Sequence, residues 1–174
     1  YNSQLAIATF RQMAQLSARV PLVGVASGYC FAGNAALLGA CDVIIATQHS
    51  NIGMAGPAMV QGGGLGKVAA SDIGPCATQA SNGVVDVVAA DDADAISIAK
   101  RYLRFFQGRV PPPHGGGAHP CADQRRLRSL VPENRLRTYE VRDVIETMVD
   151  AGSWLELRRH HAVGMVSGLA RVDG

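Results

Sequence analysis

The stretch "GYCFAGNAALLGACD", Gly28 to Asp42, decides the fold. Small residues from Gly28 to Phe31 read as a loop, and Gly33 to about Ala40 as a short apolar helix. On one side stands "PLVGVAS", Pro21 to Ser27, a continuous apolar run of strand length suited to a sheet buried on both faces. On the other stands "DVIIAT", Asp42 to Thr47, a second buried strand. Strand, short helix and strand in such close order make a parallel crossover unit, so the class is α/β. The central turn offers backbone N–H groups where one would look for a nucleophile. It contains no Ser, and Cys30 has no base near it in sequence. Two readings stay open: a tight turn that needs small residues for packing, or amides at a helix N-terminus that receive an oxyanion or polarised carbonyl.

The rest of the chain bounds this core. Its 174 residues are 48% hydrophobic, enough for one domain with a real interior, and its 20 glycines suggest close backbone approaches. A net charge of +2 gives no global field for nucleic acid or membrane. Lys67 and Lys100 are the only lysines, and five arginines fall between Arg125 and Arg137, while Asp86, Asp91, Asp92 and Asp94 cluster earlier. That polarity reads as a solvated face or an internal charge seam. Cys30, Cys41, Cys76 and Cys121 show neither CxxC nor metal-ligand spacing, and read as small, mostly buried thiols of a reducing compartment. No signal peptide and no apolar run near 18 residues is visible, which makes the cytoplasm the default location. The chain starts inside a helical pattern and stops just after a strand-like run, so it is expected to be part of a longer polypeptide.

Leu5, Phe10, Met13 and Leu16 lie near helical spacing, with Pro21 as the stop. From Asn51 to Asn82 glycine and proline predict loops and short helical turns. "GVVDVVAAD" is strand-like, and Asp91 caps a helix with Ile96, Ala99, Leu103 and Phe106 on one face. Residues 107–124 form a Pro/Gly-rich linker, which divides the chain into 1–106 and 125–174. Beyond it Thr138 is the expected cap of a helix carrying Val141, Val144, Ile145 and Met148. "SWLELR" and "AVGMVSGLARV" then read as strands.

Other motifs are weaker. "QGGGLGK", Gln61 to Lys67, fails as a phosphate loop, because Gln61 stands where Gly is needed and Val68 where Ser or Thr is. His114, His119 and Cys121 match no metal spacing. His160 and His161 suggest a surface or subunit contact, and Asp86 a hydrogen-bonded structural carboxylate. Trp154 reads as a core or interface anchor. "MAGP", Met54 to Pro57, is a second amide-rich turn, and the strand before it could bring it beside the first.

Taken together, "VPLVGVASGYCFAGNAALLGACDVIIA", "NIGMAGPAMVQGGGLG", "SDIGPCATQASNGVVDVVAADDADAI", "LVPENRLRTYEVRDVIETMVDAGSWLELR" and "GMVSGLARVDG" resemble, in order, the carboxyltransferase domain of biotin-dependent acyl-CoA carboxylases. The resemblance covers almost the whole chain, and its last two segments are specific to carboxyltransferases rather than hydratases. It implies a crotonase-like (ClpP/crotonase) ββα superhelix, present in part: 1–106 from the N-terminal half and 125–174 from the start of the C-terminal half. It also implies transfer of CO₂ from carboxybiotin to the α-carbon of an acyl-CoA, through an enolate held by the backbone amides of Ala32 and Gly33. Cys30, Phe31, Ala55, Gly56 and Pro57 would line the substrate. The implied cofactor is biotin on a carrier, with no metal. The implied partners are a biotin carboxylase, a biotin carboxyl carrier and further copies of the chain, the active site forming between subunits. This chain alone would hold half a site.

The family commonly has two glycines at this turn, and here the first is Ala32. A crotonase-like hydratase or isomerase is one rival, and would need Asp72 or Asp86 as its acid or base. A non-catalytic assembly domain of the same fold is another. A Clp-type serine protease is excluded, because Phe31, Ala32 and Gly33 stand where its Ser would be.

Overall fold

The computed structural model describes residues 7–111 and 119–174; Leu5 and His114 lie outside them. Helix α1 (Ile7–Leu16) leads into strand β1 (Val23–Ala26), which pairs in parallel with β3 (Val43–Thr47), and β3 in turn with β5 (Val87–Ala89). Val23 stands opposite Val43, and Ile45 opposite Val87. All of β3 is buried, and its alternation divides the core. Ile44 and Ala46 face a layer with Ala35 and Leu38 of α2 (Gly33–Gly39) and Cys76 and Ala80 of α4 (Cys76–Ser81). Val43 and Ile45 face Ala95 and Tyr102 of α5 (Asp92–Arg104). A strand whose two faces are both covered by helices can carry consecutive apolar residues, as Val43 to Ala46 do; the hydroxyl of Thr47, at its end, is met by Ser50. Gly24 lets α2 approach β1 closely: a Cβ there would stand 2.5 Å from Leu38 Cδ1.

The presumed loop at Gly28–Phe31 is instead a second strand. After a turn at Ser27 and Gly28 (φ +84), β2 (Tyr29–Phe31) pairs in parallel with β4 (Asn51–Gly53), repeating one level on the ladder that β1 makes with β3. The Asn51 N–H donates to Gly28 O at 2.9 Å. Between β3 and β4 the buried Ser50 hydroxyl donates to Ala26 O at 2.8 Å and lies 2.8 Å from Thr47 Oγ1. The rest of Asn51–Asn82 matches expectation: α3 (Pro57–Gly62), a 3₁₀ turn at Ala70–Asp72, and α4.

Asp91 caps α5 as expected, accepting from Asp94 N at 2.8 Å, while Asp94 reaches back to the Ala90 N–H at 2.9 Å. The buried face differs from the expected one. Ala95 and Tyr102 are buried with Ile98, Ala99 and Phe105 packed beside them, whereas Ile96 and Phe106 are exposed. The first turn is aimed by its cap, and that phase puts Ile96 outside. A 3₁₀ turn at Gln124–Arg126 and helix α6 (Leu127–Leu130) lead to α7 (Val141–Met148), which is capped by Glu140 rather than Thr138; the Glu140 carboxylate accepts from Arg142 N at 3.1 Å. Cys121 is exposed, while Cys76 is the buried thiol of the four.

Strands β6 (Leu155–Leu157) and β7 (Ser167–Leu169) form an antiparallel hairpin. The division at 107–124 is not a break in packing. Leu155 shares a cluster with Val43 and Tyr102, with Leu157 and Leu169 against it. Asp86 locks the hairpin to the sheet. One of its carboxylate oxygens accepts from Ile44 N at 2.8 Å and the other from Arg158 Nε at 2.7 Å. The Arg142 guanidinium, from α7, pairs with Glu156 of β6 at 2.9 Å.

Candidate functional site

The first amide turn grows out of the β2–β4 ladder. Ala32 continues that ladder one residue past Phe31, donating its N–H to Gly53 O at 3.0 Å. Its backbone then turns sharply, with φ 54 and ψ −123, the first corner of a type II′ turn. Its carbonyl accepts the first helical bond of α2, from Ala36 N at 3.0 Å. The N–H groups of Gly33, Asn34 and Ala35 are the unpaired donors of the first turn, and among the described residues none has a partner. Ala35 is buried, while Gly33 and Asn34 are exposed. Among the described residues a Cβ on Gly33 would meet only the Phe10 ring, at 3.6 Å.

The two amides proposed from sequence are therefore unequal. Gly33 is exposed and its N–H has no partner among the described residues, whereas Ala32 N–H is engaged by a carbonyl and serves the turn.

The second turn lies beside the first, as "MAGP" suggested. Gly56 is the N-cap of α3 with Pro57 in its first turn, and a Cβ on Gly56 would stand 3.4 Å from the Phe31 ring. Phe31 in turn stacks on Tyr29, with centroids 5.8 Å apart. Phe31, Ala55, Gly56 and Pro57 are thus neighbours at the end of one ladder. Cys30 faces the other way, into an apolar groove of about 550 Å³ between α1 and α2, lined by Met13, Leu16, Val25 and Leu37. Burial pushes the Cys30 thiol up, which keeps it protonated at neutral pH.

The remaining candidates do not supply a base or a metal site. Asp86 is buried, and both of its oxygens are committed to Ile44 and Arg158. Asp72 is exposed on its 3₁₀ turn, accepting from the Ser71 hydroxyl at 3.4 Å. The Ser27 hydroxyl donates to Asp92 at 2.6 Å. His119 is half-buried, 4.0 Å from Asp150, His161 lies 2.8 Å from Ser81 O, and Trp154 packs on Gly168. Among the described residues no group of three or more His, Cys, Asp or Glu side chains is placed to hold a metal ion. Gln61 to Lys67 is the end of α3 followed by an exposed turn, with positive φ at Gly64 and Gly66.

Sequence reasoning missed the Gly53 carbonyl and the Phe10 ring. The Tyr-Cys-Phe run, rich in strand formers, was the signal for the missing ladder.

Residues 2–174 match the family model for the carboxyl transferase domain. The methylmalonyl-CoA carboxyltransferase 12S subunit of Propionibacterium freudenreichii subsp. shermanii is 32% identical over 164 residues, 92% of this chain and 31% of that protein. The biotin-dependent acetyl-/propionyl-coenzyme A carboxylase beta6 subunit of Mycobacterium tuberculosis is 29% identical, over 95% of this chain and 35% of its own length. The chain thus spans about a third of the length of these relatives. Among solved structures, a single-chain, multi-domain long-chain acyl-CoA carboxylase superposes with a TM-score of 0.90 at 55% identity, covering 98% of this chain and 17% of that one. The transcarboxylase 12S structure gives a TM-score of 0.78 at 29% identity, over 95% of this chain and 33% of that one. The stacked parallel ladders are accordingly part of a crotonase-like fold. By the match over nearly its whole length, the chain belongs to the carboxyl transferase domain family.

Proposed function

We propose that this chain supplies the acyl-CoA side of a carboxyltransferase site, with the Gly33 amide as donor to the thioester oxygen. The observation that supports this is the exposed, unpaired Gly33 N–H at the positive end of α2, in a turn without a nucleophile. When the substrate's α-carbon loses its proton, negative charge collects on the thioester oxygen. A fixed amide donor stabilises that enolate more than the neutral thioester, which lowers the barrier. The enolate carbon would then bond to the carboxyl carbon as that carbon's bond to the biotin nitrogen breaks, and the freed nitrogen would take up the α-proton. Phe31, Ala55, Gly56 and Pro57 form the wall beside the acyl group, and Cys30 packs behind it. Ala32 N–H holds the turn rather than the oxyanion.

The unpaired donors here suit a single carbonyl oxygen, and the residues that would hold biotin's ureido ring are not among those described. Biotin, held by a carrier, supplies the carboxyl group in this reading. The wider assembly then comprises a biotin carboxylase, the carrier and further copies of the chain completing the site. The 12S relative is described as a hexamer that binds substrate on a multienzyme core, which supports the oligomer. Among the described residues no helix is long and apolar enough to cross a membrane. A hydratase or isomerase is disfavoured because Asp86 is fully committed and Asp72 lies on an exposed 3₁₀ turn beside the Ser71 hydroxyl.

The test is carboxylation by the full polypeptide, given ATP, bicarbonate and a panel of acyl-CoAs. Absence of any carboxylated product while the carrier is biotinylated would refute the proposal and favour an assembly role. The donor is tested by Gly33→Pro in an Ala32→Gly background, which removes one N–H at a position where helices accept proline. Relative to Ala32→Gly alone, kcat should fall by about 10²–10³.

A further inference from the structure

A second feature lies at the opposite end of the sheet. Helix α5 starts beside the C-terminal ends of the parallel strands, where Asp92 accepts from Ser27. It ends beside their starts, where Tyr102 packs on Val43. Gly33 belongs to the first end. At the second, the last turns of α5, residues 108–111, the turn at 150–153 and Arg171 enclose a cavity of about 820 Å³.

Lys100, Arg101, Arg104, Arg109 and Arg171 line this cavity, and Asp150 is the single carboxylate among its lining residues. Asp150 is already occupied, accepting from Asp173 N at 2.9 Å and Gly174 N at 2.8 Å. Arg109 pairs with Asp173 at 2.7 Å. The partners of Arg101 and Arg171 are backbone carbonyls: Gly152 and Trp154 for the first, Gly108, Gly174 and Arg104 for the second. Carbonyl dipoles orient a guanidinium without neutralising it. The side chains of Lys100 and Arg104 have no hydrogen-bond partner among the described residues. The wall also contains His119, its side chain 9% exposed and its Nε2 buried without a partner.

The helix dipole accounts for Arg101 and Arg104 in the last turn of α5. It does not account for Arg171, which another segment brings to the same space; Arg109 is accounted for by Asp173. Lys100, Arg101, Arg104 and Arg171 outnumber the one carboxylate in the wall, Asp150, so the cavity carries an excess of positive charge that a bound anion would offset. Phe105, under the Arg171 guanidinium at 5.5 Å, and Val110 add apolar surface for an organic body.

We propose that this cavity binds a phosphate-bearing small molecule of nucleotide size, at a site separate from the thioester turn. The experiment is calorimetric titration of the full polypeptide with inorganic pyrophosphate, repeated on Lys100→Ala, Arg104→Ala and Arg104→Lys. Pyrophosphate should bind, each alanine should weaken it by about tenfold, and Arg104→Lys by less. Added salt should weaken it as well. Saturating acyl-CoA should leave the titration unchanged. No binding, or binding indifferent to both alanine substitutions, overturns the site. Mutual displacement with acyl-CoA overturns its separateness.

Discussion

Ala32→Gly should stabilise the protein, although it replaces a better helix former with a worse one at the start of α2. Ala32 is held at φ 54 and ψ −123, a corner that L side chains rarely adopt because the Cβ crowds the next peptide unit. Holding a non-glycine residue there costs about 1–3 kcal/mol. Glycine removes that strain but gives the unfolded chain more freedom, which returns about 0.4–1 kcal/mol. The net is a gain on the order of 1 kcal/mol, or roughly 2–4 °C in Tm for a domain of this size. The bond from residue 32 N–H to Gly53 O survives the substitution, so the β2–β4 ladder should not change. Urea unfolding at 25 °C checks it: the midpoint should rise while the m-value stays constant. A lower or unchanged midpoint would show that the corner is not strained and that the II′ geometry is misassigned. Ala32→Val tests the same reasoning in reverse and should lower the midpoint, because branching at Cβ worsens the crowding.

Three further outcomes follow from the same structure. Asp86→Ala should cost about 3 kcal/mol in urea unfolding, since it leaves the Ile44 N–H unpaired in the core and frees the hairpin's Arg158; a loss within 0.5 kcal/mol, on the order of a surface change, would contradict the lock. Arg142, hydrogen-bonded to Glu156, holds the Glu156 carboxyl below its ordinary value. A depressed folded pKa gives stability that is complete above the unfolded value of about 4.3 and disappears as pH falls through the folded one. Stability curves below that pH should therefore be shallower in Glu156→Gln, and identical acid limbs would refute the pairing. Cys30→Ala should leave kcat within about twofold, because a raised thiol pKa and the absence of a base rule it out as nucleophile; a loss approaching 10² would reinstate it.

The parts of the fold legible in sequence were those fixed by local pattern. Val43 to Ala46 are apolar without a break because β3 is covered on both faces, and Asp91 announces α5 because the cap is a local hydrogen bond. What local pattern hides is partnership. Nothing within "SGYCFAG" says that Asn51–Gly53 lies alongside it, so the sequence alone reads a three-residue strand as a loop and does not reveal that Gly53 O accepts from the Ala32 N–H. The exposed Ile96 shows the same limit: spacing gives the period of a helix, but the cap and the sheet set its phase. For the site, composition suggested amides, and only the pairing showed which of the two is unengaged.

That pairing also shows how the proposed site could be built from backbone amides. The β1–β3 ladder fixes where the chain leaves the sheet, and the β2–β4 ladder above it fixes where each of two turns begins. Because both ladders are parallel, the two turns emerge on the same side and end at neighbouring residues, Ala32 and Gly53. The Ala32 N–H to Gly53 O bond closes the upper ladder and so consumes one amide to hold the next. A one-residue slip in β2 against β4 would put Gly33 in the bonded position, and α2 would begin with its exposed amide spent. On this reasoning the strain at Ala32 is the cost of a corner tight enough to turn Gly33 N–H out of the ladder.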